Sequence, residues 1–335
     1  MFSLHRRISS NKLLFAITLI IFSYFILRTI AWYKHESFVL PGEYFTFQDK
    51  KVRYFCQGKG HPYVILEPGF GGDSEEVWSS IAQQLPSTFT TCYYDRLGHG
   101  GSDDVPTTFT TDQKSQVQES LIRHIAGDNP VVLVAKSYGG IIARRTAARE
   151  NINLAALILL DSAHENQHEV LRDIFSPISD TVKNLQYINA TLGFFEIKNI
   201  FNEYNSDMSK RLAQYYAGFR WAHVLSTYRN EKGFYTPLED FHYDFGDLKL
   251  VVMSHDREAY ASRPRFYSMG EKWAKMQQSL AKLSNNSEHM IVKGSTHDMT
   301  GDAPEVVISK ITETVEYVNN QVSRNVTSIL GSTDS

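Results

Sequence analysis

Apolar positions along this chain come in two patterns. Short unbroken runs rich in β-branched residues, each ending in small or turn-forming residues, are what strands buried on both faces look like. Six such runs are "PYVILEPGFGG", "TFTTCYYDRLGHGGSD", "PVVLVAKSYGG", "LAALILLDSAH", "LKLVVMSHD" and "HMIVKGSTHDM". "YFTFQDKKVRYFCQG" adds a hairpin of two strands, and stretches of helical period separate the rest. Strands alternating with helices predict an α/β protein built on a mostly parallel sheet flanked by helices. Residues 39–161 form its first part and 249–320 its second. The interval 162–248 carries no strand pattern and reads as a helical insertion, while "APEVVISKITETVEYV" predicts a closing helix. The polar tail 321–335 is expected to be disordered.

The N-terminus is of different material. "LLFAITLIIFSYFIL" holds no charge, and the apolar character resumes after Arg28 through Trp32. At about 1.5 Å per residue, residues 13–32 reach across a hydrocarbon layer of roughly 30 Å. Arg28 lies where its stem can snorkel, and Trp32 and Tyr33 suit an interfacial belt. A cleaved signal peptide is the rival reading, but the run is long and lacks an A-x-A-like cleavage site. The expectation is a single-pass signal anchor. Arg6, Arg7 and Lys12 bias residues 1–12 toward the cytoplasm and the rest of the chain toward a lumenal or extracellular face.

Composition narrows the picture. With 42% hydrophobic and 21% charged residues, the 335-residue chain can bury a full core. A net charge of -3 offers no basic face for nucleic acid, which is set aside as a partner. Asn189, Asn285 and Asn325 each begin an N-x-[ST] sequon, a weak pointer to the secretory route and to a glycoprotein. Cys56 and Cys92 have no metal-ligand spacing and read as small buried strand residues rather than a disulfide framework. No metal cluster or phosphate-binding glycine loop is visible, and no cofactor is expected.

The candidate chemistry begins at "VVLVAKSYGGIIARR". A strand runs into Ala135, Lys136, Ser137, Tyr138, Gly139 and Gly140 and leaves as a helix. A nucleophile elbow has this form: a serine on a sharp strand-to-helix turn, flanked by small residues so that strand and helix can approach. A serine hydroxyl needs an imidazole to take its proton and a carboxylate to orient that imidazole. Asp256, just past "KLVVMSH", and His297, after "HMIVKGST", follow Ser137 in the order Ser, Asp, His and stand at the carboxyl ends of strands. Asp161, ending "LAALILLD" one strand earlier, is the competitor. It is ranked second, as a residue that bonds backbone in its loop. Lys136 either pairs with a carboxylate or presents a cation to an anionic substrate.

On these motifs the chain resembles the α/β-hydrolase family over about residues 39–318. The resemblance implies an eight-stranded, mostly parallel sheet with a helical cap formed by residues 162–248. "LEPGFGGDSEEVW" resembles the turn that supplies half of an oxyanion hole, which implies the backbone N–H of Phe70 as one donor and that of Tyr138 as the other. "YYDRLGHGGSD" resembles the family's D-R-x-G-x-G-x-S loop, with Asp95 and Arg96 in structural roles. A nucleophilic aspartate would mark dehalogenases and epoxide hydrolases, and Ser137 argues against both.

The reading that results is a membrane-anchored serine hydrolase cleaving a carboxylic ester, with a small-molecule or lipid ester as its partner, and with Ser137, His297 and Asp256 as the triad. The same groups serve an amidase, peptidase, thioesterase, acyltransferase or lyase, and the fold also occurs as a silent binding module.

Overall fold

The computed structural model describes residues 2–36, 41–70, 74–105, 109–171 and 243–332, with scattered residues between 181 and 197. The chain divides into two compact units, Pro41–Ile178 with Ser226–Ser335 and Met1–Leu40 with Ser179–Leu225.

The larger unit holds eight strands: β1 (Glu43–Phe47), β2 (Lys50–Gln57), β3 (Tyr63–Glu67), β4 (Thr90–Tyr94), β5 (Val131–Lys136), β6 (Leu154–Leu160), β7 (Lys249–His255) and β8 (Ser287–Val292). They form one sheet in the order β1-β2-β4-β3-β5-β6-β7-β8. The β1–β2 and β2–β4 pairs are antiparallel and the remaining pairs parallel.

Side chains alternate across the strands, so a continuous apolar run feeds two cores at once. On one face Val64, Leu66, Val132, Val134, Ile158, Leu160, Val251 and Met253 pack under Trp78 and Ile81 of α2 (Ser74–Gln84). The same layer takes Val307, Ile311, Val315 and Val318 from the last helix. On the other face Ile65, Leu133, Ala135, Leu157, Leu159, Leu250 and Val252 meet Ile122 and Ala126 of α3 (Thr111–Ala126) and Ala143 of α4 (Gly139–Ala147). The runs of β3 to β7 are unbroken because neither face meets water, whereas β8 at the sheet edge leaves Ile291 exposed.

After β6 come the short α5 (Gln167–Val170) and, beyond β7, a 3-10 turn over Arg257–Tyr260 followed by α6 (Pro264–Leu280). α7 (Met299–Asp302) and α8 (Pro304–Ser332) close the chain. α8 corrects the expectation for the tail 321–335, because it continues as helix to Ser332. The apolar spacing Val315, Val318, Val322 carries the helical period past Asn320.

The cysteines need a second correction. Cys56 of β2 stands opposite Cys92 of β4, and the two form a disulfide. The pairing follows from strand order, since β4 lies beside β2 although β3 comes between them in sequence.

In the smaller unit α1 (Phe2–Glu36) is longer than the span expected over 13–32. Within it Lys12–Ile30 has mean hydropathy 2.2 and is entirely unburied, which by length and composition suffices to cross a membrane. Most of the insertion expected as a cap over 162–248, including the aromatic residues from Phe195 to Trp221, lies outside the described residues.

Candidate active site

Ser137 follows β5 directly and adopts φ +52°, a left-handed conformation that L side chains rarely take. Its carbonyl accepts from the N–H groups of Gly140 and Ala163, and its own N–H donates to Leu160, so the turn is pinned on both sides. The small residues after it are a packing requirement. A Cβ on Gly139 would lie 2.4 Å from the Pro68 carbonyl oxygen, and one on Gly140 would lie 2.0 Å from Ser162 Oγ. A larger residue at either place would push α4 off the strand ends.

His297 arrives from the loop after β8. Its Nε2 lies 2.9 Å from Ser137 Oγ and its Nδ1 2.5 Å from Asp161 Oδ2. An ionised carboxylate only accepts, so Nδ1 carries the proton and Nε2 is left to accept from the serine hydroxyl. The tautomer a general base requires is fixed by this arrangement. His297 remains 44% exposed and reachable from solvent, whereas the Asp161 side chain is fully buried.

The carboxylate at this histidine is therefore Asp161, and the preference for Asp256 is corrected. Asp256 has run past the site: Leu160 of β6 pairs with Met253 of β7, so Asp161 lies level with Ser254 and Asp256 lies two residues further along. β6 also borders β5 directly, whereas β7 is one strand further from Ser137. Asp256 accepts instead from the N–H groups of Glu258 and Gly294, both at 3.0 Å. The Gly294 N–H and then the Glu258 N–H hold its pKa below the usual value, and its work is to tie the 3-10 turn to the loop that carries His297. Tyr260, at the end of that turn, accepts from the His297 N–H at 2.7 Å.

Asp161 itself sits at φ +43° and collects several donors. His255 Nδ1 lies 2.8 Å from Oδ2 and 3.0 Å from Oδ1, Trp273 Nε1 donates to Oδ1 at 2.7 Å, and the His255 N–H donates to Oδ1 at 3.1 Å. Burial alone would push the carboxyl pKa up. The hydrogen bonds from His255 and His297 overcome this and hold it well below the carboxylate range. Asp161 is visible in the sequence, as a strand ending in Asp, but is ranked second there. His255 and Trp273 are the site residues that sequence reasoning missed, and nothing in the sequence singled them out.

The turn after β3 faces the serine from the other side. A Cβ on Gly69 would lie 3.2 Å from Ser137 Cβ, and the Phe70 ring meets the Tyr138 ring edge-on at 5.8 Å. Arg96 secures this turn from below, donating to the carbonyls of Pro68 at 2.7 Å and Gly69 at 2.5 Å and to Glu67 Oε1 at 2.6 Å. Glu67 is wholly buried, and burial raises its pKa despite Arg96. Lys136 does not offer a bare cation to the site. Its Nζ donates to Asp298 Oδ1 at 2.5 Å and Thr300 Oγ1 at 2.8 Å, tying the elbow to the residue after His297. His164 is engaged with Ser279 and His289 with Ser254. Among the described residues no group of His, Cys, Asp and Glu could hold a metal ion.

The chain that carries this sheet, serine and histidine matches the family model for the alpha/beta hydrolase family over residues 64–310. The chain belongs to that family. It is similar to the uncharacterized protein YqjL of Bacillus subtilis, at 23% identity over 83% of this chain and 90% of the relative. It is also similar to a proline iminopeptidase of Saccharolobus solfataricus, at 26% identity over 48% of this chain and 52% of that protein. In fold it resembles a thermophilic esterase from Thermogutta terrifontis, with a TM-score of 0.53 at 18% identity over 80% of this chain and 94% of the esterase.

Proposed function

We propose that this protein is a membrane-anchored serine hydrolase that cleaves a carboxylic ester, with Ser137 as nucleophile, His297 as general base and then acid, and Asp161 as the carboxylate that orients it. The observation that carries the reading is the unbroken chain from Ser137 Oγ through both nitrogens of His297 to buried Asp161.

Each step follows from those contacts. Nε2 of His297 takes the hydroxyl proton as Oγ attacks the acyl carbon, and the charge that forms on Nδ1–H and Nε2–H is stabilised by Asp161. The tetrahedral oxyanion accepts from the backbone N–H groups of Phe70 and Tyr138, donors each worth roughly 3 kcal/mol where such groups have been removed from other enzymes. Collapse breaks the ester bond as His297 returns the proton to the leaving alcohol. Water, deprotonated by the same Nε2, then attacks the acyl carbon, and the acyl–Oγ bond breaks as His297 returns the proton to Oγ, releasing the acid and free Ser137.

Fold does not choose between ester and amide. An alkoxide leaves more readily than an amide nitrogen, and a triad with two backbone donors is sufficient for it. The similarity to a proline iminopeptidase favours amide cleavage as the second reading. Three features support an anchored domain on the lumenal or extracellular side: the apolar stretch Lys12–Ile30, the basic residues before it, and the Cys56–Cys92 disulfide, a bond that persists in oxidising compartments.

The test is to quench the reaction with acid and weigh the intact protein, using an acyl ester and its matched amide. An acyl adduct from the ester, absent in Ser137→Ala, is expected. An adduct from the amide alone would move the assignment to a peptidase, and turnover by Ser137→Ala at the wild-type rate would overturn the nucleophile.

A further inference from the structure

The smaller unit contains a polar oddity within its apolar helix. Tyr24 lies inside the Lys12–Ile30 stretch, and its hydroxyl donates at 2.6 Å to the carbonyl oxygen of Leu192, a residue distant in sequence. Its ring also meets the Phe194 ring, with centroids 6.0 Å apart. Beside this contact stands a second apolar surface. Leu185 and Ile188 are helical and Leu192 stands in a turn, and together with Phe194 they are 55%, 50%, 42% and 46% exposed. Asn184 and Asn189, also exposed, flank Leu185 and Ile188.

A cluster of large apolar side chains left open to water is unfavourable, and exposure of this kind marks a surface that meets something apolar. Its continuity with the apolar helix says what. Tyr24 precedes Ile30 by six residues, which at 1.5 Å per residue sets its level about 9 Å inside the end of the span. The Leu192 carbonyl and the Phe194 ring lie beside the Tyr24 side chain, which brings them to about that level. An amphipathic segment lying in a membrane interface sits roughly 5–10 Å into the headgroup and acyl boundary, so the two depths agree. The Tyr24 bond has its own reason at that depth, because a carbonyl that water cannot reach needs a donor from the protein.

We propose that Leu185, Ile188, Leu192 and Phe194 lie in the membrane interface beside α1, inserted among the acyl chains of the leaflet at the Ile30 end of the span. The partner is the hydrocarbon of a phospholipid layer. Tyr24 is a positioning residue that fixes this second contact to the anchor. The inference rests on the reading of α1 as a membrane anchor and adds a shallow contact to it.

Depth-dependent quenching tests both separately. The two native cysteines are joined to each other, so a single introduced cysteine takes an environment-sensitive fluorophore in the non-reduced full chain. Leu192→Cys, Ile188→Cys, Phe22→Cys and Lys275→Cys are labelled and placed in phosphatidylcholine vesicles carrying nitroxides on the acyl chains. Quenching at 188, 192 and 22, but not at 275, is expected. Quenching at 22 with none at 188 and 192 overturns the proposal and leaves the anchor standing, whereas no quenching at 22 removes the anchor and the proposal with it. An N-glycan found on Asn189 would also overturn it, since that side chain borders the inserted face.

Discussion

His255 donates from Nδ1 to Asp161, the same buried carboxylate that faces Nδ1 of His297. Two imidazoles and an indole thus share one acceptor, and the carboxylate that polarises His297 is itself held by groups outside the line from serine to histidine. Replacing His255 by Leu removes a donor to that carboxylate and leaves His297 less well oriented, so kcat is expected to fall. His255→Asn, whose Nδ2–H can stand in for Nδ1–H, is expected to restore it. A loss of stability with an unchanged kcat would make His255 a packing residue only.

Asp161→Asn is expected to reduce kcat by about 10⁴-fold, the size seen when an equivalent aspartate loses its charge in another serine enzyme. Asp256→Asn, which loses one acceptor oxygen at an exposed loop, is expected to change kcat by less than about tenfold. Steady-state kinetics on one ester distinguish the two, and the reverse order would return the acid to the strand first expected to carry it.

The link from Lys136 to Asp298 and Thr300 joins the elbow to the histidine loop. Lys136→Met is expected to lower kcat/KM by about tenfold, the worth of a charge-assisted hydrogen bond discounted for the exposed carboxylate, with the fold intact. An unchanged rate would show that the loop holds its place without the tether.

Acid sensitivity follows from Asp161 with a definite sign. Its folded pKa lies below the ordinary value of 3.8, so the unfolded chain binds the proton more readily. The stability this contributes is present above about pH 4 and is lost as pH falls through the depressed range. Glu67 has the opposite sign, because its raised pKa favours the folded state only until pH rises through that higher value. Urea midpoints measured from about pH 3 to pH 6 are expected to fall less steeply toward acid in Asp161→Asn than in the wild type. Equal slopes would mean that Asp161 takes up its proton equally readily in the folded and the unfolded chain.

The disulfide joins residues 36 apart, and Cys56→Ser with Cys92→Ser is expected to lower stability by about 2–4 kcal/mol, chiefly by freeing the unfolded chain. Protein from an oxidising compartment is expected to take up a thiol reagent only after reduction. Uptake without reduction would remove this support for a lumenal or extracellular domain.

The elbow and the histidine were legible as short patterns. Gly139 and Gly140 belong to the small-residue signature of the turn, although the contacts that require them are with Pro68 and Ser162, distant in sequence, and His297 stands between the last strand and the closing helices. Choosing between Asp161 and Asp256 required knowing how far β6 and β7 each run beyond their pairing, a property of register that neither strand's own residues record. The opposition of Cys56 and Cys92 likewise exists only once β4 is placed beside β2. The tail was misread for a different reason: its polar composition concealed an apolar spacing that continues the helix before it.

The most direct test of the central claim is labelling of the detergent-solubilised full chain by a fluorophosphonate, with the modified peptide identified by mass spectrometry and with Ser137→Ala and His297→Ala alongside. The account predicts a single adduct on Ser137 in the wild type and none in either variant. A folded wild type that takes no label, or a label that persists in His297→Ala at the wild-type rate, would contradict a serine activated by His297 and Asp161.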